Sequence, residues 1–337
     1  MSLKFAIIGA GAIARAYAQA FENCDACGEV AAVVDVRPEA AQALAEELRC
    51  NAYDSYEEAA SEELLDAVII CTPPASHPEI AVYFMARGVH VLCEKPLSID
   101  SQSARAMLEA ARQNNVCFTM ASKFRYVEDV IKAKSIIASG LLGDIVLFEN
   151  AFTARVDMSM RWNSQPEVSG GGVLIDNGTH SLDIMRYFLG PLEAVQVVEG
   201  KRTQGLAVED TVRIFARSAE GVMASADLSW SINKELDTFI NIYCAQGTLQ
   251  IGWRESRYRQ ASSHDWVIFG AGYDKVAAFR GQLRNFTRAI RGEEALLITA
   301  GDGVASVEVV EAAYASLAQN NWTPIAAGDI IRAESIV

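Results

Sequence analysis

Lys4-Phe5-Ala6-Ile7-Ile8-Gly9-Ala10-Gly11-Ala12-Ile13-Ala14 decides the fold. The first five residues read as a buried strand and the last as the opening turn of a helix. Between them, Gly9 permits a tight turn and Gly11 has no side chain to keep the backbone from a pyrophosphate. Ala14 stands where a third glycine is usual, and a small residue there lets the helix pack on the strand. A second strand-like run, Val30-Ala31-Ala32-Val33-Val34, ends at Asp35, roughly 20 residues on, where an acid meets a ribose. A pyrophosphate is expected on the helix N-terminus near Ala12 and Ile13, where free N–H groups and the helix dipole favour anions. Asp35 favours NAD, because a carboxylate accepts ribose hydroxyls and repels a 2′-phosphate. Arg37, two residues later, attracts that phosphate instead, so NADP stays possible.

The alternation continues outward. A helix is expected over 38–49, a strand over 66–71, a helix over 78–87 and a strand over 89–93. A helix over 98–114, capped by Ser98 or Asp100, and a strand over 116–120 follow. Strands alternating with helices imply an α/β doubly wound parallel sheet, with ligands at the carboxyl ends of the strands. From about residue 122 the rhythm changes. After a helix near 127–139, strands are expected over 145–154, 193–199, 210–217, 222–231, 239–244 and 248–251. A helix near 173–189 interrupts them and another, near 303–319, closes the chain. Strands in series imply a largely antiparallel sheet in an α+β domain. The expected division is a Rossmann domain over 1–121 and a second, α+β domain over 122–337.

The 337 residues are half hydrophobic and carry a formal charge of −14, which argues against nucleic acid and anionic membranes as partners. No long apolar run suggests a membrane span. The first strand begins at the third residue, which leaves no room for a signal peptide, so a cytoplasmic location is expected. The seven cysteines are odd in number and irregular in spacing, as expected of reduced thiols. Cys24-Asp25-Ala26-Cys27 has the form of a redox pair, but is read as two incidental thiols in a helix-to-strand loop. No metal site is expected.

Three stretches carry chemistry: Thr72-Pro73-Pro74-Ala75-Ser76-His77, Glu94-Lys95-Pro96, and Gly170-Gly171-Gly172 running through Asp176-Asn177-Gly178-Thr179-His180 to Asp183. Lys95 falls at the carboxyl end of a central strand, where its ammonium can stabilise a developing alkoxide. Pro96 restricts Lys95 to an extended backbone. Asp176 and His180 are four residues apart, which on a helix places them on one face, and Asp183 continues it. An imidazole suits proton transfer near neutrality. Gly178 inside a helix costs about 1 kcal/mol relative to Ala, and close approach of a cofactor or substrate would account for it.

In these stretches the chain resembles the Gfo/Idh/MocA oxidoreductases, over essentially its whole length. The resemblance implies that Lys95, Asp176 and His180 form the catalytic set, and that Glu94 and Lys95 lie against the cofactor. It implies that the loop of Thr72, Pro73 and His77 runs along the dinucleotide; His77 is equally well read as a helix-start residue. Arg125 matches a basic position near the domain junction. Arg161-Trp162-Asn163 resembles a substrate-facing loop, where a tryptophan face suits a sugar ring and arginine suits hydroxyls. Substrate contacts are thus expected from Lys95, Arg125, Arg161, Trp162, Asp176 and His180. The implied activity is NAD(P)-dependent oxidation of a secondary hydroxyl of a sugar or cyclitol, or the reverse ketone reduction, by a homodimer or homotetramer, with residues 122–337 as the substrate-binding and oligomerisation domain. A redox-neutral glycosidase or lyase with tightly held NAD is the alternative. A non-catalytic sensor is disfavoured, since the catalytic set is present.

Overall fold

A computed structural model describes residues 2–22 and 24–325. The chain forms two compact units. One comprises the residues up to Glu128 with Asp274–Gly303; the other comprises Asp129–Tyr273 with the residues from Val304 on.

The first unit runs β1 (Lys4–Ile8), α1 (Ala12–Phe21), β2 (Glu29–Val34), α2 (Pro38–Leu48), β3 (Asn51–Tyr53), α3 (Tyr56–Glu62), β4 (Ala67–Ile70), α4 (His77–Met85), β5 (His90–Glu94), α5 (Ser101–Gln113) and β6 (Phe118–Ala121). Its six strands lie in the order β3-β2-β1-β4-β5-β6, all parallel. The order reverses between β1 and β4, which opens a crevice at their carboxyl ends, the place where such sheets bind ligands. Ala67, Val68, Ile69 and Ile70 are fully buried, as a central parallel strand requires. The cap of α5 is Asp100, whose carboxylate accepts the Ser103 N–H at 2.7 Å. The short edge strand β3 and helix α3 escape the sequence pattern, because three residues show no periodicity and α3 buries only Ala59.

The remaining elements are α6 (Glu128–Ala138), β7 (Ile145–Thr153), α7 (Pro166–Ser169), α8 (Val173–Leu189), β8 (Leu192–Glu199), β9 (Thr211–Ser218), β10 (Met223–Ser229), β11 (Thr238–Cys244), β12 (Gly247–Gly252), β13 (Ser256–Gln260), β14 (Val267–Gly270), α9 (Lys275–Ile290), α10 (Ala300–Gln319) and β15 (Thr323–Pro324). The nine-stranded sheet of the second unit has the order β14-β13-β12-β11-β7-β10-β9-β8-β15. Among the described residues, only its β7–β10 pairing is parallel. Helix α8 packs on this sheet, and Ser316 of α10 accepts the Val197 N–H of β8 at 3.0 Å.

The division is interleaved where a single cut after residue 121 was expected. Helix α9 was not anticipated, and it belongs to the first unit. Phe279, Leu283 and Phe286 are fully buried in the core formed by β1 and α1. The Phe279 ring meets Tyr17 edge-on at 4.8 Å. Burying each such side chain is worth about 1.5–3 kcal/mol, enough to hold a distant segment in place.

One expectation about the thiols is overturned. Cys24 and Cys27 form a disulfide. The 3₁₀ turn over Asp25–Cys27 brings their Cα atoms to 5.4 Å, inside the span a disulfide bridges. Cys50, Cys71, Cys93, Cys117 and Cys244 are free thiols. Among the described residues, no helix is long and apolar enough to cross a membrane.

Candidate functional site

The cofactor face of the first unit is built around the β1–α1 turn. Gly9 has φ +96°, and a Cβ there would lie 2.9 Å from the Cys71 carbonyl carbon. The turn therefore needs glycine twice over, for its dihedral and for the approach of the strand β4 exit. A Cβ on Gly11 would meet nothing within 4 Å. Packing therefore does not require glycine at that position, and the backbone there is open to approach. Gly11 is the N-cap of α1 and its helix end carries no side-chain cap. Ala12 is exposed, Ile13 half-buried and Ala14 fully buried against the sheet. Open N–H groups, a clear approach and a nearby acid fit a dinucleotide.

That acid is Asp35. Its Oδ2 accepts the Ala10 N–H at 2.8 Å, which ties the end of β2 to the glycine turn. Arg37 donates to it from its backbone N and from Nε, both at 3.0 Å, and from Nη2 at 3.1 Å. Burial on its own would raise the Asp35 pKa; the Arg37 and Ala10 hydrogen bonds outweigh it and hold the carboxyl below its usual range.

Beyond β4, the Thr72 hydroxyl accepts from Ser76 at 2.8 Å, and Pro73 leads into a 3₁₀ turn over Pro74–Ser76. His77 is fully buried, with Nδ1 2.9 Å from the Pro96 carbonyl and Nε2 2.7 Å from the Thr72 carbonyl. Its side chain bridges two loops at the carboxyl end of the sheet. Burial pushes its pKa down; the carbonyls oppose this and Lys95 adds to it.

Glu94 ends β5, nearly buried. It accepts the Tyr17 hydroxyl at 3.0 Å and the Lys95 N–H at 3.2 Å. Gln282 of α9 donates in turn to Tyr17 at 2.7 Å. Burial raises the Glu94 pKa against the pull of Lys95, Lys123 and the Tyr17 bond. Lys95 is half-buried at the strand exit, as its position in the sequence implies. Arg125 is buried in a 3₁₀ turn over Lys123–Tyr126, its guanidinium 3.7 Å from Asp302. Tyr17 and Gln282 were not foreseen, since nothing in their neighbourhoods marks them as polar partners of a residue 77 or more positions away.

In the second unit, α8 carries Asp176 and His180. Asp176 is half-buried in the first turn, and His180 is 7% exposed. The His180 ring lies edge-on to Phe152, with centroids 6.4 Å apart. Phe152 opens an aromatic series: it stacks with Phe239, which meets Trp253 at 4.6 Å, and Trp253 meets Tyr273 at 5.7 Å. Asp183, one turn past His180, is fully buried and accepts the Ser306 hydroxyl at 3.3 Å. Arg161 is exposed, and Trp162 begins a short 3₁₀ turn at the surface.

The start of α8 is held by a residue that sequence reading missed. The buried Glu209 carboxylate accepts the N–H groups of Gly172 and Leu174, both at 3.0 Å, and the Tyr314 hydroxyl at 2.8 Å. A negative charge at a helix N-terminus is stabilising, and here it satisfies two otherwise orphan donors. The glycine run follows from this contact. A Cβ on Gly171 would fall 1.9 Å from the Tyr314 hydroxyl, and one on Gly172 would fall 2.1 Å from the Glu209 carbonyl. Gly178 also receives a packing explanation in place of the expected ligand approach. A Cβ there would press on Leu174 and Leu228 at 3.3 Å, because α8 lies close on β10 and β9.

Comparison with known proteins agrees with both units. Residues 3–122 match the model described as "Oxidoreductase family, NAD-binding Rossmann fold", and residues 130–250 match the GFO/IDH/MocA C-terminal domain. The inositol 2-dehydrogenase of Rhizobium meliloti (strain 1021) is 26% identical, over 97% of this chain and all of its own. The rhizopine catabolism protein MocA of Rhizobium meliloti is 27% identical, over 94% of this chain and 96% of its own. A levoglucosan dehydrogenase solved with NADH and levoglucosan superposes with a TM-score of 0.89 at 22% identity, over 97% of this chain and all of its own. The chain belongs to the GFO/IDH/MocA family of oxidoreductases, and its first unit is the family's NAD-binding Rossmann domain.

Proposed function

We propose that this protein is an NAD-dependent dehydrogenase that oxidises a secondary hydroxyl of a sugar or cyclitol. The observation that carries the reading is the β1–α1 turn, open at Gly11 and flanked by Asp35. The names of its relatives, inositol 2-dehydrogenase and D-glucoside 3-dehydrogenase among them, support the substrate class. When bound, NAD supplies the hydride acceptor. Gly9, Gly11, Ala12, Ile13 and Asp35 would hold its pyrophosphate and ribose, and Thr72, Pro73, Glu94 and Lys95 its nicotinamide half.

The chain's own residues then divide the remaining work. The Lys95 ammonium stabilises the charge that develops on the substrate oxygen as hydride leaves the carbinol carbon. His180 accepts the hydroxyl proton, and Asp176, one helical turn away, orients the imidazole or a substrate hydroxyl. Trp162 and Arg161 offer a ring face and donors to a polyol. The open face of the nine-stranded sheet is the proposed contact between copies in a homo-oligomer. The test is nicotinamide absorbance with NAD and a panel of inositols, aldoses and sugar acids. Reduced cofactor with one of them, absent in Lys95→Ala, supports the reading. A cofactor that stays bound through isolation without net reduction by any substrate turns it toward redox-neutral chemistry.

A further inference from the structure

We propose that Gln204 and Asp210 are positioning residues for polyol binding: together they hold the segment that carries Arg161 and Trp162, a role that rests on the substrate-facing reading of that segment. Gln204 lies in the loop between β8 and β9, and its side-chain amide reaches two other stretches of chain. Its Oε1 accepts the Met158 N–H at 3.0 Å. Its Nε2 donates to the carbonyls of Val156 and Trp230 at 3.0 and 3.1 Å, with the Ser231 hydroxyl also at 3.1 Å. The Met158 carbonyl in turn accepts the Arg161 N–H at 3.1 Å. One amide thus fixes the residue from which Arg161 and Trp162 hang.

Gln204 is itself held by Asp210. The Asp210 side chain is fully buried, and its Oδ2 accepts the N–H groups of Thr203 and Gln204 at 2.8 and 3.2 Å. Bonds to an ionised acceptor are roughly twice as strong as neutral ones. Lys201, Arg202, Thr203, Gly205 and Ala207 are exposed, which leaves the loop's conformation largely to such bonds. Glu209, the residue before Asp210, holds Gly172 and Leu174 at the start of α8. The segment between Met158 and Gly172 is therefore pinned at one end through Gln204 and at the other through Glu209. Packing does not explain what it displays: Met158, at the anchor, is 3% exposed, whereas Met160 is 94% and Trp162 41% exposed. Large apolar side chains held outward beside Arg161 suit a ring with hydroxyls on its edge. Fixing them before the ligand arrives lowers the ordering cost of binding.

The experiment compares the full chain with Gln204→Ala, Asp210→Ala and Asp210→Asn. The first readout is limited trypsin digestion, followed by fragment mass, at Arg155 and Arg161, which are exposed on either side of Met158. Gln204→Ala and Asp210→Ala are expected to be cut there about tenfold faster, with the urea midpoint of Gln204→Ala unchanged. Asp210→Asn, which keeps an acceptor, is expected to restore most of the protection. The second readout is NAD reduction by those inositols, aldoses or sugar acids that the wild type oxidises. Gln204→Ala is expected to raise KM for the polyol about tenfold, with kcat within about twofold, the signature of lost substrate binding, and with NADH affinity unchanged. Gln204 is half-buried, so this variant decides even where Asp210→Ala fails to fold. Unchanged digestion at Arg155 and Arg161 overturns the proposal, as does faster cleavage throughout the chain, an unaltered KM, or an equal loss of NADH binding. Faster digestion at the two sites with no polyol oxidised by the wild type overturns the dehydrogenase reading and the polyol role with it, and supports the anchor alone.

Discussion

Helices α1 and α8 both follow a glycine turn, and both begin beside residues proposed for the cofactor or the chemistry. Their N-termini are in opposite electrostatic states. At α1 no side chain caps the helix, Gly11 faces open space, and the nearest acid is engaged with Ala10 and Arg37. At α8 the buried Glu209 carboxylate already accepts two of the free N–H groups, and glycine is needed because Glu209 and Tyr314 press against the backbone. The second N-terminus is met by an anion from within the chain; the first is met by no side chain. A glycine-rich entry to a helix is therefore one sequence signature with two physical causes, and only the neighbours of the missing Cβ tell them apart.

The sharpest way to break this comparison is Gly172→Ala. Its Cβ would overlap the Glu209 carbonyl, and overpacking of this severity is expected to destabilise the second unit by about 3 kcal/mol. Urea unfolding measures it, and an unchanged midpoint would refute the packing account. Glu209→Ala comes next, at about 2–3 kcal/mol, because Leu174 N–H and the Tyr314 hydroxyl lose their acceptor and Gly172 N–H loses the nearer of its two. Tyr314→Phe, which removes a donor to Glu209 and the second acceptor of Gly172 N–H but no charge, is expected to lose about 1 kcal/mol by the same measurement.

Gly11→Ala is the counterpart at α1. Its extended backbone, with φ −81°, suits any residue, and the Cβ meets nothing. Stability should stay within about 0.5 kcal/mol of the wild type, while NADH affinity falls about tenfold or more. A substitution that leaves NADH affinity intact would show that the pyrophosphate does not rest there.

The acid beside α1 also makes a pH prediction. The folded Asp35 pKa lies below its unfolded value, so its stabilisation is fully present above about pH 4 and is lost as pH falls through the folded pKa. Melting curves from pH 6 to pH 3 should therefore fall more steeply in the wild type than in Asp35→Asn. The smallest effect is expected at Gly178→Ala. About 1 kcal/mol of helix propensity is gained against crowding by Leu174 and Leu228 at 3.3 Å, for a net change within about 1 kcal/mol.

Much of this was legible in the chain itself, and the exceptions share a cause. The strands β1, β2, β4, β5 and β6 announce themselves as apolar runs between turn signals, and the Gly9–Ala14 turn states its chemistry in consecutive residues. Helix α8 is marked by the placement of Asp176, His180 and Asp183. Helix α9 is different, for its buried side chains Phe279, Leu283 and Phe286 sit among Arg280, Arg284 and Arg288 and answer to Phe5 and Tyr17, more than 250 positions earlier. The disulfide between Cys24 and Cys27 depends on a 3₁₀ turn that spacing alone does not specify. His77 lay between two readings; its burial between the carbonyls of Thr72 and Pro96 was decided by the meeting of two loops.

The sequence by itself determined the parallel sheet, the alternation of its strands and helices, the dinucleotide turn and the residues proposed to move a proton or steady an alkoxide, because each is written in neighbouring residues or in one helical period. Tertiary structure alone decided why Gly171 and Gly172 are glycine, which group screens Asp35, and which buried donors hold Glu94 and Glu209. Those outcomes depend on side chains that meet across tens to hundreds of positions, where burial enforces hydrogen bonding but no local pattern records the partner.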